Sequence, residues 1–176
     1  TIENPSVINL IEMNQFDTIY HEHFSYLSLT SVEFIAKKNK LEVFDVEESE
    51  IHGGSIRYYL QHSDIKKYKK SKNVKKLREL EISKGAKDLK TYNKFNKNCQ
   101  KIKVEFLKFL YYQISKGKNF AAYGAAAKGN TFLNYCGLSK DTINFIVDKN
   151  PKKIGLYSPG SYIPIVEEEY LFKKKP

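Results

Sequence analysis

The chain has 176 residues, a formal net charge of +10, and 41% hydrophobic residues with an aromatic fraction of 14%. That is enough apolar material for one sizeable domain or two small or partial ones, and it excludes wholesale disorder. No apolar run approaches the roughly eighteen residues that span a bilayer, and the polar opening Thr1-Ile2-Glu3-Asn4-Pro5 carries no secretory signal, so a cytoplasmic protein with no membrane partner is expected. Cys99 and Cys136 lie far apart without metal-type spacing and read as reduced thiols. The basic balance invites a polyanion, and lysines concentrate between Lys66 and Lys118 and again at Lys173-Lys174-Lys175. Aromatics do not alternate with the basic residues as a stacking platform needs, so the run reads as a solvated helical face and no nucleic-acid partner is expected.

In chain order, Ile2-Glu3-Asn4-Pro5 reads as the tail of a strand entering a turn, and the start looks truncated. Val7, Ile8, Leu10 and Ile11 suit a short helix capped by Ser6. Thr30 or Ser31 caps a second helix with Val32, Phe34 and Ile35 on its apolar face, ended by Asn39. Residues 41–47 alternate imperfectly (Leu41, Val43, Phe44, Val46) and, with 55–62, predict an antiparallel strand pair. From 63 to 117 helix formers dominate, with Val74, Leu77, Leu80, Val104, Leu107, Leu110 and Ile114 at helical spacing and Gly85 as a break between two helices. Then come a short strand at 119–123, a small-residue turn at 124–129, a helix at 130–136 stopped by Gly137, a strand at 142–147 closed by Asp148, a turn at Ser158-Pro159-Gly160 and a third strand at 162–166. Strand, Gly-rich turn, helix, strand, acid is the grammar of a nucleotide-binding sheet.

Three constellations carry chemistry. Gly124 to Gly129 stands between strand and helix, where small residues let a backbone approach a phosphate and helix-start amides point at it; Lys128 adds positive charge. Asp148 is positioned like the acid that reads ribose hydroxyls, although Ala126 stands where a second motif glycine would be. The run Tyr20-His21-Glu22-His23 packs two imidazoles, a carboxylate and a phenol together. It reads as a general base oriented by Glu22 with a phenol for a developing oxyanion, as a two-histidine chelate with His52 as a candidate third ligand, or as a polar junction with satisfied hydrogen bonds. His52-Gly53-Gly54 allows positive φ or close ligand approach, or is simply a hairpin turn.

Taken in order, the runs Phe16-Asp17-Thr18-Ile19-Tyr20-His21-Glu22-His23-Phe24-Ser25-Tyr26, His52-Gly53-Gly54-Ser55, Tyr123-Gly124-Ala125-Ala126-Ala127-Lys128-Gly129-Asn130 and Asp148-Lys149-Asn150-Pro151 resemble the sugar C-methyltransferases. The resemblance covers essentially the whole chain. It implies S-adenosylmethionine-dependent methylation of the carbon next to the ketone of a nucleotide-linked keto-deoxysugar, through an enolate. It implies catalytic roles for Tyr20 (enolate oxygen), Glu22 (orienting) and His23 (base), with His21 at the variable position and no metal. Substrate binding falls to His52, Gly53, Gly54, Gly124, Lys128, Gly129, Asn130 and Asp148. The expected fold is α/β: the end of a methyltransferase domain over 1–62, a helical connector over 63–117, and a truncated Rossmann-like parallel-sheet domain over 118–176. On this reading the chain is a fragment, inactive alone, lacking both the loop that binds S-adenosylmethionine and the cysteines of the family's N-terminal zinc domain. A non-catalytic nucleotide or nucleotide-sugar binding module is the alternative.

Overall fold

A computed structural model describes residues 1–65 and 67–176, so Lys66 and the side chain of His52 lie outside the described residues. The chain forms two compact units, one built from residues 1–15 and 23–98 and the other from 16–22 and 99–176.

The first unit is organised by an antiparallel sheet of β1 (Ile2–Pro5), β2 (Leu41–Ser49) and β3 (Ser55–His62) in the order β1-β3-β2. The expected pair β2 and β3 is present, and β1 adds a third strand with Ile2 opposite Tyr58. The imperfect alternation of β2 has a physical cause. The register shifts between Val43 and Asp45, so Val43 and Val46 both face the core three residues apart rather than two or four. They pack with Ile56 and Tyr58 of β3, with Leu29 and Val32 of α2 (Leu29–Lys38), and with Val74 and Leu77 of α3 (Lys72–Ser83). Full burial of side chains such as Leu29 and Val74 contributes about 1.5–3 kcal/mol each.

α1 (Val7–Glu12) is capped by Ser6, whose hydroxyl accepts from the Asn9 amide at 3.3 Å. The α2 cap differs from the expected Thr30 or Ser31. Ser28 accepts from the Ser31 amide at 3.2 Å, and the buried carboxylate of Glu81, reaching from α3, accepts from the amides of Leu29 at 2.5 Å and Thr30 at 3.3 Å. A side chain remote in sequence thus satisfies orphan donors at the helix start, which local pattern cannot reveal. Gly85, at φ +66°, separates α3 from α4 (Leu89–Ser115) as expected.

The second unit carries a parallel sheet of β4 (Ala121–Tyr123), β5 (Phe145–Val147) and β6 (Ile165–Val166) in that order, with α5 (Ala127–Cys136) between the first two strands. The α/β class with a parallel C-terminal sheet is therefore as expected. All of β5 is buried, the mark of a strand covered on both faces. Leu110, Leu133, Cys136, Ile143, Ile146 and Ile163 form the core.

The strands are shorter than the sequence suggests, for local reasons. Ser139 and Thr142 bond each other in a turn, with the Thr142 hydroxyl donating to the Ser139 carbonyl at 3.0 Å, so β5 begins only at Phe145. Tyr162 adopts φ +54° and the Ile163 amide donates to the Ser158 hydroxyl at 3.0 Å, which delays β6. α5 starts three residues earlier than expected, placing Lys128 and Gly129 inside its first turn. A final helix, α6 (Glu168–Lys174), was not expected; acids in its first turn and lysines in its last suit the helix dipole.

Candidate functional site

A cavity of about 650 Å³ lies wholly within the second unit, at the C-terminal end of β4. Its size falls in the range of small-molecule sites, and the end of a parallel strand is where open α/β sheets bind ligands. Tyr20 and Tyr123, the 124–127 loop, Asn130 and Leu133 of α5, Phe106 and Leu110 of α4, and Lys153 and Tyr157 line it. Most of these walls are apolar or small, so the few polar groups stand out.

Gly124 adopts φ +91°, a conformation that disfavours a side chain, and its amide donates to the Val147 carbonyl at 2.7 Å. Gly129 is less constrained, since an added Cβ would meet its nearest neighbour, the Gly124 carbonyl oxygen, at 3.8 Å. Ala126 caps α5 without a side-chain hydrogen bond, leaving the first amides of the helix to other partners.

The loop is clamped at one peptide. The Ala125 amide donates to Asp148 at 2.7 Å, and the Ala125 carbonyl accepts from the Lys153 ammonium at 2.8 Å. Asp148 also accepts from the Asn150 amide at 2.8 Å and pairs with Lys153 at 3.5 Å. The Asn150 and Ala125 amides and the nearby Lys153 charge hold the Asp148 carboxyl below its ordinary value, against the opposing effect of desolvation. Asp148 therefore braces the loop and is not among the cavity-lining residues. At the cavity wall, the Tyr123 hydroxyl donates to Glu168 at 2.6 Å, and Glu168 pairs with Lys149 at 3.4 Å. That hydrogen bond raises the phenol pKa and lowers that of the carboxyl.

Of the expected site residues, Tyr20, Gly124, Gly129 and Asn130 come together on this cavity, while Lys128 does not line it. Lys153 supplies the cation instead. Sequence reasoning passed it over, although it follows Asp148 by five residues in the stretch that continues Asp148-Lys149-Asn150-Pro151. Tyr20 is half-buried and its ring lies 6.2 Å from that of His21, while Glu22 is exposed. His23 belongs to the first unit, half-buried with its ring 6.1 Å from Tyr26. Gly53 and Gly54 also belong to the first unit, at φ +86° and +110°. Gln15 donates to the Gly53 carbonyl at 3.0 Å, and a Cβ at Gly53 would meet the Gln15 amide at 2.5 Å, so this turn is packed against its neighbours. His52 lies in the same turn, with its side chain outside the described residues. No group of three or more His, Cys, Asp or Glu side chains suited to a metal occurs among the described residues.

Residues 50–176 match the family model described as the C-methyltransferase C-terminal domain. The chain belongs to that family. It is also 35% identical over 168 residues to C-methyltransferase NovU of Streptomyces niveus, an alignment covering 96% of this chain and 40% of that relative. The chain thus spans well under half the length of the relative. The family match includes β4, α5, Asp148 and Lys153, and hence most of the cavity wall. Among the described residues no helix is long and apolar enough to cross a membrane.

The arrangement can hold a ligand with an apolar portion against the α4 and α5 walls and an anionic portion near Lys153 and the uncapped start of α5. The fit to S-adenosylmethionine is poor at this loop. The carboxylate at the end of the next strand is taken up by the Ala125 and Asn150 amides, and the cation beside the loop favours an anion over a sulfonium.

Proposed function

We propose that the protein bearing this chain methylates the carbon next to the ketone of a nucleotide-linked keto-deoxysugar, and that the chain contributes the substrate-binding cavity and the proton-transfer residues. The single observation that carries this reading is the cavity at the β4–α5 turn. It joins apolar walls to Lys153 in a chain of the C-methyltransferase family. Lys153 is proposed to meet the diphosphate, a role the sequence had given to Lys128, while the 124–130 segment holds the nucleotide portion. His52, Gly53 and Gly54 remain proposed substrate contacts on the family resemblance alone.

The chemistry requires removal of a proton from the carbon α to the ketone. His23 is the proposed base, Tyr20 donates a hydrogen bond to the developing enolate oxygen, and Glu22 orients His23 or a sugar hydroxyl. S-adenosylmethionine is the proposed methyl donor; no residue of this chain is assigned to hold it and no step is derived through it. The proposed setting is cytoplasmic deoxysugar biosynthesis, with zinc confined to a separate domain of the family.

The test is made in the protein that bears this chain, with a nucleotide-linked keto-deoxysugar as acceptor. His23→Ala should lower turnover about 10²- to 10⁴-fold, the usual scale of a positioned general base, while substrate binding persists. Unchanged turnover would remove His23 from the mechanism. Because the cavity lies within one unit, a nucleotide-binding module without chemistry is the second reading. It is favoured if nucleotides bind but no keto-sugar is methylated.

A further inference from the structure

The segment that carries Tyr20 and His21 is fastened to α5. Phe16 is buried, with its ring centroid 4.9 Å from that of Tyr135 and 6.1 Å from that of Phe132, and Thr18 is buried too. Two buried side chains in the short 3₁₀ turn Phe16–Thr18 fix where the chain goes next. Residues 16–22 accordingly belong to the second unit, although the chain on either side of them belongs to the first. Tyr20 and His21 both line the β4–α5 cavity as a result. The family resemblance gives a role to Tyr20 and none to His21.

The charges on the cavity wall favour an anion. Among the described residues no Asp or Glu lines it, and the two lining side chains that can carry positive charge are Lys153 and His21. Lys153 is partly spent. Its ammonium donates to the Ala125 carbonyl at 2.8 Å and pairs with Asp148 at 3.5 Å, so the carboxylate offsets much of its charge. A diphosphate carries more than one negative charge and calls for a second donor. The His21 imidazole can supply it. His21 is exposed, so a ligand can reach it, its ring stands 6.2 Å from that of Tyr20, and no hydrogen bond or ion pair engages it among the described residues. An imidazole donates one N–H when neutral and two when charged, and a neighbouring anion favours the charged form.

We propose that His21 is a phosphate contact of the β4–α5 cavity, its imidazole donating to the diphosphate of the bound nucleotide and adding the positive charge that Asp148 offsets on Lys153. The inference rests on the nucleotide-linked reading above and adds a binding residue to it.

The test is calorimetric titration of the 176-residue chain with pyrophosphate and with the diphosphates of uridine, thymidine, cytidine, adenosine and guanosine, at low salt so that an exposed charge is little screened. His21→Ala should weaken pyrophosphate and the best-bound nucleoside diphosphate alike by about tenfold, the scale of one hydrogen bond to a charged group. His21→Phe keeps a ring but has no N–H, and should lose as much. His21 is exposed, so both variants should fold, which circular dichroism checks. A loss below about threefold in His21→Ala, a loss confined to the nucleoside diphosphates, or a His21→Phe variant that keeps the parent's affinity overturns the phosphate contact and leaves the nucleotide reading standing. A parent that binds none of the six ligands overturns both.

Discussion

The two units set their buried polar groups in different surroundings. In the first, the Tyr58 hydroxyl lies fully buried in a packed core between sheet and helices, with no partner among the described residues. In the second, Asn130 has the same deficit but lines a cavity of about 650 Å³. Both oxygens are costs that packing carries, but the second belongs to a residue of the cavity wall. The same contrast holds for carboxylates. Glu81 is buried and spent on the amides of Leu29 and Thr30, whereas Asp148 clamps the loop that forms the cavity wall.

The largest effect expected is the loss of turnover in His23→Ala described above, which separates chemistry from fold. Next is Glu81→Ala. It strands the Leu29 and Thr30 amides in the first unit and should lower stability by about 2–4 kcal/mol in denaturant titration. A change below about 0.5 kcal/mol would show that water replaces the carboxylate and that the cap is dispensable.

Asp148→Asn should cost less, about 1–3 kcal/mol at neutral pH, because the loop keeps its Lys153 contact. Its pH dependence has a defined sign. The Asn150 and Ala125 amides hold the folded carboxyl below its unfolded value near about 3.9, so the ionised form stabilises the fold above that pH. The contribution is lost as pH falls through the lower folded value. The gap between parent and Asp148→Asn should therefore narrow below about pH 4, and a gap that widens there would contradict the assignment.

The smallest effect concerns the unpaired oxygen in the core of the first unit. Tyr58→Phe removes a hydroxyl with no partner, so stability should be unchanged or higher by up to about 1 kcal/mol, read from the denaturation midpoint. A clear loss would mean that the hydroxyl has a partner in solution.

Much of this was legible in the sequence because it depends on neighbours along the chain. The Ser6 cap, the β2–β3 pair, the Gly85 break and the β4–turn–α5–β5 unit all follow from local pattern and appear in the expected order, although α5 begins three residues early and β5 three residues late. What was not legible depends on residues far apart. Glu81 caps α2 from α3 at 52 positions along the chain from Leu29, and β1 finds its partner in β3 across a comparable interval. The bulge in β2 blurred its alternation. In the site, the motif that signalled a phosphate loop was read with Lys128 as its cation. Lys128 falls in the first turn of α5 and does not line the cavity, whereas Lys153 returns to the Ala125 carbonyl from beyond β5.

The most direct test of the central claim, that the β4–α5 cavity takes the nucleotide-linked sugar, is a backbone amide NMR titration of this chain with a nucleoside diphosphate sugar. The account predicts shifts concentrated at residues 123–130 and 153–157, with the amides of β2 and β3 at rest, and their loss in Lys153→Ala. Shifts confined to the antiparallel sheet, or none at all at millimolar ligand, would contradict it.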